Sequence, residues 1–123
     1  MKDLINDTID INDVKVTTRT LFCELKNTNL AVEAGCTGLR GDVPRERSSR
    51  AFLVLDGLKG DFFFNPVEDE DDKVVGFGVC CCGDEAMMAL LEALTFATIE
   101  IAERCLTREE KEAPMKVDWP VTD

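Results

Sequence analysis

The stretch Asp84–Leu106, DEAMMALLEALTFATIEIAERCL, decides the fold. Ala, Leu, Met and Glu dominate it, and all four are strong helix formers. Asp84 offers an N-cap, and Glu85 adds negative charge to the first turn, where it suits the helix dipole. Pro114 limits the C-terminal end, because proline cannot continue a helix. The stretch therefore predicts one long helix of roughly 35 Å.

The apolar residues of this helix form one wide stripe, which we expect to face a sheet. Its members are Met87, Leu90, Leu91, Leu94, Thr98, Ile101, Ala102 and Cys105. Phe96 lies on the opposite side among glutamates, and Met88, Ile99 and Leu106 widen the apolar face on one side. A second apolar patch predicts a second contact, either with another chain or with the tail that carries Trp119.

The residues before the helix predict strands, because they are rich in β-branched and aromatic residues and are separated by turn residues. The predicted strands are Val14–Leu25, Leu30–Cys36, Arg50–Leu58, Asp61–Asn65 and Lys73–Cys82. Strands first and a helix last predict an α+β fold. It is an antiparallel meander sheet of four to six strands with one long C-terminal helix packed on one face.

The domain plan has three parts. Residues 1–13 are a leader that forms a short edge strand or is disordered, residues 14–112 form a single α+β domain, and residues 113–123 form a C-terminal tail. Within the domain, a change of apolar phase predicts a bulge or bend near Thr18–Thr20. The continuous apolar run Arg50–Leu58 predicts a buried central strand, and Gly76 and Gly78 leave room for the helix to approach.

The charge of the chain excludes some classes of partner. The 123 residues carry a formal net charge of −11. Such a surface disfavours direct binding to nucleic acid or anionic lipid, and favours solubility and basic partners. There is no apolar leader and no run of about 20 apolar residues, so we expect a cytoplasmic protein without membrane association.

The sequence offers little catalytic chemistry. Histidine and tyrosine are both absent, which removes histidine-activated nucleophiles and histidine zinc sites. No phosphate-binding glycine loop is present, and we expect no cofactor and no metal. The run Cys80–Cys82 ends a strand just before a helix N-terminus, a place where a thiol can become reactive, and Cys82 is the best candidate. The more common alternative is that these thiols are structural.

Four arginines, Arg40, Arg45, Arg47 and Arg50, lie within eleven positions of a predicted loop. They form a candidate site for an anion or a partner protein, since guanidinium groups bind phosphates and carboxylates in pairs of hydrogen bonds. The alternative is that they pair with the surplus carboxylates of the chain itself.

The stretch TTRTLFCELKNTNLAVEAGCTGLRGD, Thr17 to Asp42, resembles small uncharacterised proteins of Gram-positive anaerobic bacteria. The resemblance is strongest over the first predicted hairpin and contains no functional motif. It implies a bacterial cytoplasmic setting, and no site residues carry over from it.

Three classes of function remain open. The first is a non-enzymatic protein-interaction module that forms a homo-oligomer or binds another protein through the second helix face and the arginine loop. The second is a thiol-based redox protein or enzyme that uses Cys82. The third is an acidic mimic of nucleic acid that binds a basic protein.

Overall fold

A computed structural model describes residues 4–40 and 48–106 of the chain. Four antiparallel strands form one sheet in the order β1-β2-β3-β4, and β5 and β6 form a separate two-stranded sheet. The elements are β1 Leu4–Ile11, β2 Val14–Leu25, β3 Thr28–Cys36, β4 Ala51–Lys59, β5 Phe62–Glu68, β6 Val74–Cys81 and α1 Asp84–Cys105. The predicted α+β fold is confirmed, with one C-terminal helix packed on an antiparallel sheet. Residues 113–123, predicted as a tail, lie outside the described residues.

Short turns that contain residues with positive φ connect β1 to β2 and β5 to β6. Asn12 and Asp13 both have positive φ, 47° and 66°, between β1 and β2. Two positive φ values in a two-residue turn match the right-handed twist of a hairpin, and Asn and Asp tolerate them best. In the acidic turn between β5 and β6, Asp69 accepts hydrogen bonds at Oδ1 from the backbone N–H groups of Asp71 and Lys73, at 2.8 and 3.0 Å. This acidic segment is therefore a structured hairpin turn.

Strand β2 runs without the bulge predicted near Thr18–Thr20, because its pairing with β3 is continuous from Thr18 to Leu25. The apolar residues of β2 change from even to odd positions for another reason. Val16 and Thr18 are buried on one face of the sheet, whereas Leu21 and Cys23 are buried on the other, beneath α1. Both faces of β2 are thus covered along part of the strand.

The helix packs on β2 and β3 mainly through alanines. Of the wide stripe that the sequence places against the sheet, Leu90 packs on the core cluster and Cys105 contacts Cys36, whereas Met87, Leu91 and Leu94 are exposed. The buried alanines are Ala86, Ala89, Ala93 and Ala97, at helical spacing. Ala89, Ala93 and Ala97 pack with Leu30 and Val32 of β3 in the main apolar cluster. Small side chains let the helix backbone come close to the sheet, so the helix is rotated relative to the expectation and its larger apolar residues point outward.

Strand β4 is an edge of the four-stranded sheet within the described residues, so the predicted buried central position is wrong. It pairs with β3 on one side, and β5 pairs with β6 instead of with β4. Leu53, Val54 and Leu58 are consequently exposed. The expectation for the two glycines also differs from the structure: a Cβ added at Gly76 would meet the Val67 side chain of β5, not the helix.

The N-cap of helix α1 lies one residue earlier than predicted. Gly83, with φ 99°, occupies the N-cap position, and no side chain caps the helix. Asp84 is instead the first helical residue, where it and Glu85 place negative charge at the positive end of the dipole. At the other end the Leu106 N–H donates to the Ala102 carbonyl at 2.9 Å.

Candidate interaction surface

The outer side of α1 is nearly free of charge between Met87 and Ile99, where the half-exposed Glu92 is the one charged residue. Every exposed position from Met87 to Ile99 is apolar or threonine. These residues form the helix outer face: Met87, Met88, Leu91, Leu94, Thr95, Thr98 and Ile99. In a chain with 25 acidic residues, an exposed helix would be expected to carry carboxylates there. The helix outer face is therefore suited to contact with another apolar surface.

The two threonines do not make this face polar. Thr95 Oγ1 donates to the Leu91 carbonyl and Thr98 Oγ1 donates to the Leu94 carbonyl, each at 2.8 Å. Both hydroxyl hydrogens are therefore bound within the helix, since a threonine hydroxyl in a helix can donate to the carbonyl four residues earlier. A partner could cover both side chains without leaving a hydroxyl donor unsatisfied.

A groove of about 540 Å³ lies between β4 and the β5–β6 hairpin. Its walls are Leu53, Val54 and Leu55 of β4 and Phe64, Phe77 and Val79 of the hairpin. Leu55 also packs on the core cluster with Leu90 of α1, so the groove and the helix lie on the same side of the four-stranded sheet. We call this the β4–hairpin groove.

In this chain the phenylalanine side chains are half-buried or exposed, and most of the buried apolar residues are small. None of the seven phenylalanines is buried, and Phe77 is 71% exposed. The buried core beneath α1 consists instead of Leu21, Leu30, Val32 and small residues, which are alanines and Cys23. A self-sufficient domain of this size buries its largest apolar side chains. The described residues therefore leave an unusually large apolar surface exposed for a domain of this size.

The predicted interface residues fall into two groups. Met88, Ile99 and Leu106 are exposed, and the first two belong to the helix outer face. Phe96 is half-buried and packs against the core cluster. It lies beside the alanine stripe because the helix is rotated from the expected orientation. Met87, Leu91 and Leu94, which the sequence assigned to the sheet, occupy the exposed surface instead.

The predicted arginine site is only partly described. Arg45 and Arg47 lie outside the described residues, and Arg40 is exposed. Arg50 is used within the fold: its Nε donates to the Ile11 carbonyl at 3.0 Å, and its Nη1 donates to the Ser49 carbonyl at 3.1 Å. Arg50 therefore connects the residue before β4 to the end of β1 by a hydrogen bond.

The predicted thiol site lies in a small polar pocket at the start of α1. Cys82 is exposed there, and the ionisable residues beside it are Asp61, Asp84 and Glu85. A reactive thiolate is usually supported by a nearby positive charge, and these neighbours are acidic. Glu85 is already engaged, because its Oε1 accepts the Asn27 N–H at 2.9 Å. The surroundings of Cys82 do not favour thiol catalysis.

A different pair of thiols meets at the other end of the helix. Cys36, the last residue of β3, and Cys105, the last residue of α1, have their Sγ atoms 3.8 Å apart. Cys36 is buried, and its thiol donates to the Ile101 carbonyl at 3.6 Å. Burial raises the pKa of the Cys105 thiol, and the adjacent Cys36 sulfur raises it further. The sequence could not reveal this pair, because 69 positions separate its members.

Two further kinds of feature are absent from the part of the chain that the structure describes. No group of three or more His, Cys, Asp or Glu side chains within residues 4–40 and 48–106 could hold a metal ion. Over the same ranges, the structure contains no helix with the length and apolarity that a membrane crossing requires.

The fold and its exposed surfaces define a small α+β domain with an uncharged helix face. Comparisons with protein-family models, curated proteins and solved structures find no match to this chain. Any functional assignment therefore depends on the surfaces described above.

Proposed function

We propose that this chain is a non-enzymatic protein-interaction module that self-associates through the helix outer face. The observation that carries the proposal is the nearly uncharged outer side of α1, from Met87 to Ile99, in a chain of net charge −11. Two copies of such a chain repel each other over most of their surface. An uncharged face lets them approach without bringing carboxylates together.

The exposed apolar area supports a second copy as the occupant. Five large apolar side chains at about half exposure give roughly 500 Å² on the helix alone, already near the largest patch of a typical monomer. The β4–hairpin groove adds further apolar surface, and Leu55 in its wall packs on the core cluster beneath α1. A standard interface buries roughly 800 Å² per partner, and homodimer interfaces are more apolar than other interfaces.

The variant Leu91→Glu tests the proposal directly. Leu91 is 58% exposed, so a glutamate there should leave the fold intact but place charge in the centre of the interface. We expect wild type to sediment as a dimer at micromolar concentration and Leu91→Glu to sediment as a monomer. Burying an unpaired carboxylate costs several kcal/mol, enough to weaken association by about a hundredfold or more.

Ile5→Glu provides the matched control. Ile5 has a similar exposure, 52%, but it lies on β1 and pairs with Thr20, on the face of the sheet away from α1. The same chemical change there should leave the dimer intact. Wild type that remains monomeric at several hundred micromolar would contradict the proposal, as would equal effects of the two variants. Phe96→Glu is unsuitable, because Phe96 packs against the core.

A further inference from the structure

We propose that Cys36 and Cys105 form an intramolecular disulfide when the protein meets a peroxide, which joins the end of α1 covalently to the end of β3. This redox site is independent of the proposed self-association. It rests on the contact of the two sulfur atoms and on the position of each cysteine in the fold.

The geometry brings the two sulfurs into van der Waals contact. Their separation is 3.8 Å, and a disulfide bond needs about 2 Å. Each cysteine is the last residue of its element, so closure requires a small shift of one strand end and one helix end. Leu106 already has extended backbone, with φ −101° and ψ 146°, so the chain leaves the helix directly after Cys105.

The exposure of the two cysteines sets the order of the two steps. The Cys36 thiol donates to the Ile101 carbonyl, and its sulfur lies against the Cys105 sulfur. Cys105 is partly exposed, whereas Cys36 is buried. The oxidant therefore reaches Cys105 first, and Cys36 serves as the resolving thiol.

The chemistry balances with hydrogen peroxide as oxidant. The Cys105 thiol loses its proton, its sulfur attacks one peroxide oxygen, the O–O bond breaks and one water leaves after proton uptake. The resulting sulfenic acid is attacked by the deprotonated Cys36 sulfur, the S–S bond forms, the S–O bond breaks and a second water leaves. The two sulfurs supply two electrons, and the peroxide takes them.

The rate of this reaction should depend strongly on pH. The thiolate attacks peroxide, and the pKa of the Cys105 thiol lies above the ordinary value of 9.0. Below its pKa the thiolate fraction grows about tenfold for each pH unit. We therefore expect slow oxidation at pH 7 and oxidation about tenfold faster at pH 8.

The full-length variant with Cys80, Cys81 and Cys82 replaced by serine is the right starting protein. It keeps Cys23, Cys36 and Cys105, and it removes the neighbouring thiols that could pair among themselves. After peroxide treatment, the protein is unfolded, alkylated and digested without reduction for mass spectrometry. We expect a peptide that bridges Cys36 and Cys105, alkylation of Cys23 alone, and a higher thermal midpoint that dithiothreitol reverses.

Two further variants separate the proposal from alternatives. Cys23→Ser in the same background should still give the bridge, and Cys105→Ser should abolish it and the shift in midpoint. Helix content by circular dichroism confirms that each variant is folded. A bridge that involves Cys23, a bridge between chains, or conversion of Cys105 to sulfinic acid without any bridge would overturn the proposal.

Discussion

At the scale of single residues, one ion pair connects the sheet to the helix. Arg19 Nη1 of β2 lies 3.0 Å from Glu100 Oε1 of α1, and Glu100 is only 6% exposed. Arg19 Nε also donates to Asn6 Oδ1 of β1 at 3.3 Å. A carboxylate buried to this degree needs its partner, because desolvation penalises an unpaired charge. Arg19 therefore fixes the position of the C-terminal half of α1 on the sheet.

We expect Arg19→Met to destabilise the fold by about 1–3 kcal/mol, less than for a fully buried pair because the Arg19 side chain is 39% exposed. Urea unfolding at fixed protein concentration measures this loss. Adding Glu100→Gln should restore part of it, since the unpaired charge is then removed. Lys15→Met is the control: the Lys15–Asp10 pair is exposed on both sides and should contribute less than about 0.5 kcal/mol. Equal losses for Arg19 and Lys15 would show that burial of Glu100 is unimportant.

At the scale of elements, β2 and β3 approach so closely that one glycine has no room for a side chain. A Cβ added at Gly35 would overlap the Thr17 carbonyl oxygen and lie 2.8 Å from Thr18 Cα. Both are backbone atoms, so neither can rotate away.

Gly35→Ala should destabilise the protein by about 3 kcal/mol or more, because relief of the overlap requires the two strands to move apart. Gly78→Ala, also in a strand, is the matched control. The nearest atom to its added Cβ is the Asn65 carbonyl oxygen at 3.9 Å, an ordinary contact. We expect an effect within about 1 kcal/mol there, since alanine also reduces the freedom of the unfolded chain. Similar urea midpoints for the two variants would argue against the tight β2–β3 contact.

The positions of the helix and strands along the chain could be predicted from the sequence far better than which side of each element is buried. The bounds of α1 and of the strands follow from local propensity and turn residues, and the structure has them close to the predicted positions. The rotation of α1 could not be predicted in this way. Periodicity favours burial of Met87, Leu91 and Leu94 because they are more apolar than alanine, but the approach of the helix to β3 selects Ala89 and Ala93.

The candidate site was only partly predictable for the same reason. Exposure of Met88 and Ile99 follows from the sequence pattern, whereas Phe96 takes a place beside the core that depends on the helix rotation. The edge position of β4 is a matter of strand pairing, which a continuous apolar run does not specify. The contact of Cys36 with Cys105 exists only once the helix lies on the sheet.

At the scale of the whole molecule, net charge and the uncharged helix face act against each other. Each copy carries −11, so two copies repel at low salt, and the helix outer face must overcome this repulsion. In the alternative function, a mimic of nucleic acid, the same negative charge attracts a basic protein. The response to salt therefore distinguishes self-association from capture of a basic protein.

We expect the dimer dissociation constant to fall by about three- to tenfold when sodium chloride is raised from about 0.05 to about 0.5 M, because salt screens the repulsion between like-charged copies and leaves apolar contact intact. Sedimentation velocity over a concentration series at each salt level measures the change. Leu91→Glu should remain monomeric under both conditions, which controls for nonspecific association at high salt. Binding to a basic protein would instead weaken as salt rises, since its attraction is the one that is screened. A dimer that weakens with salt would show that ion pairs hold the copies together, and the uncharged face of α1 would then not be the surface that joins them.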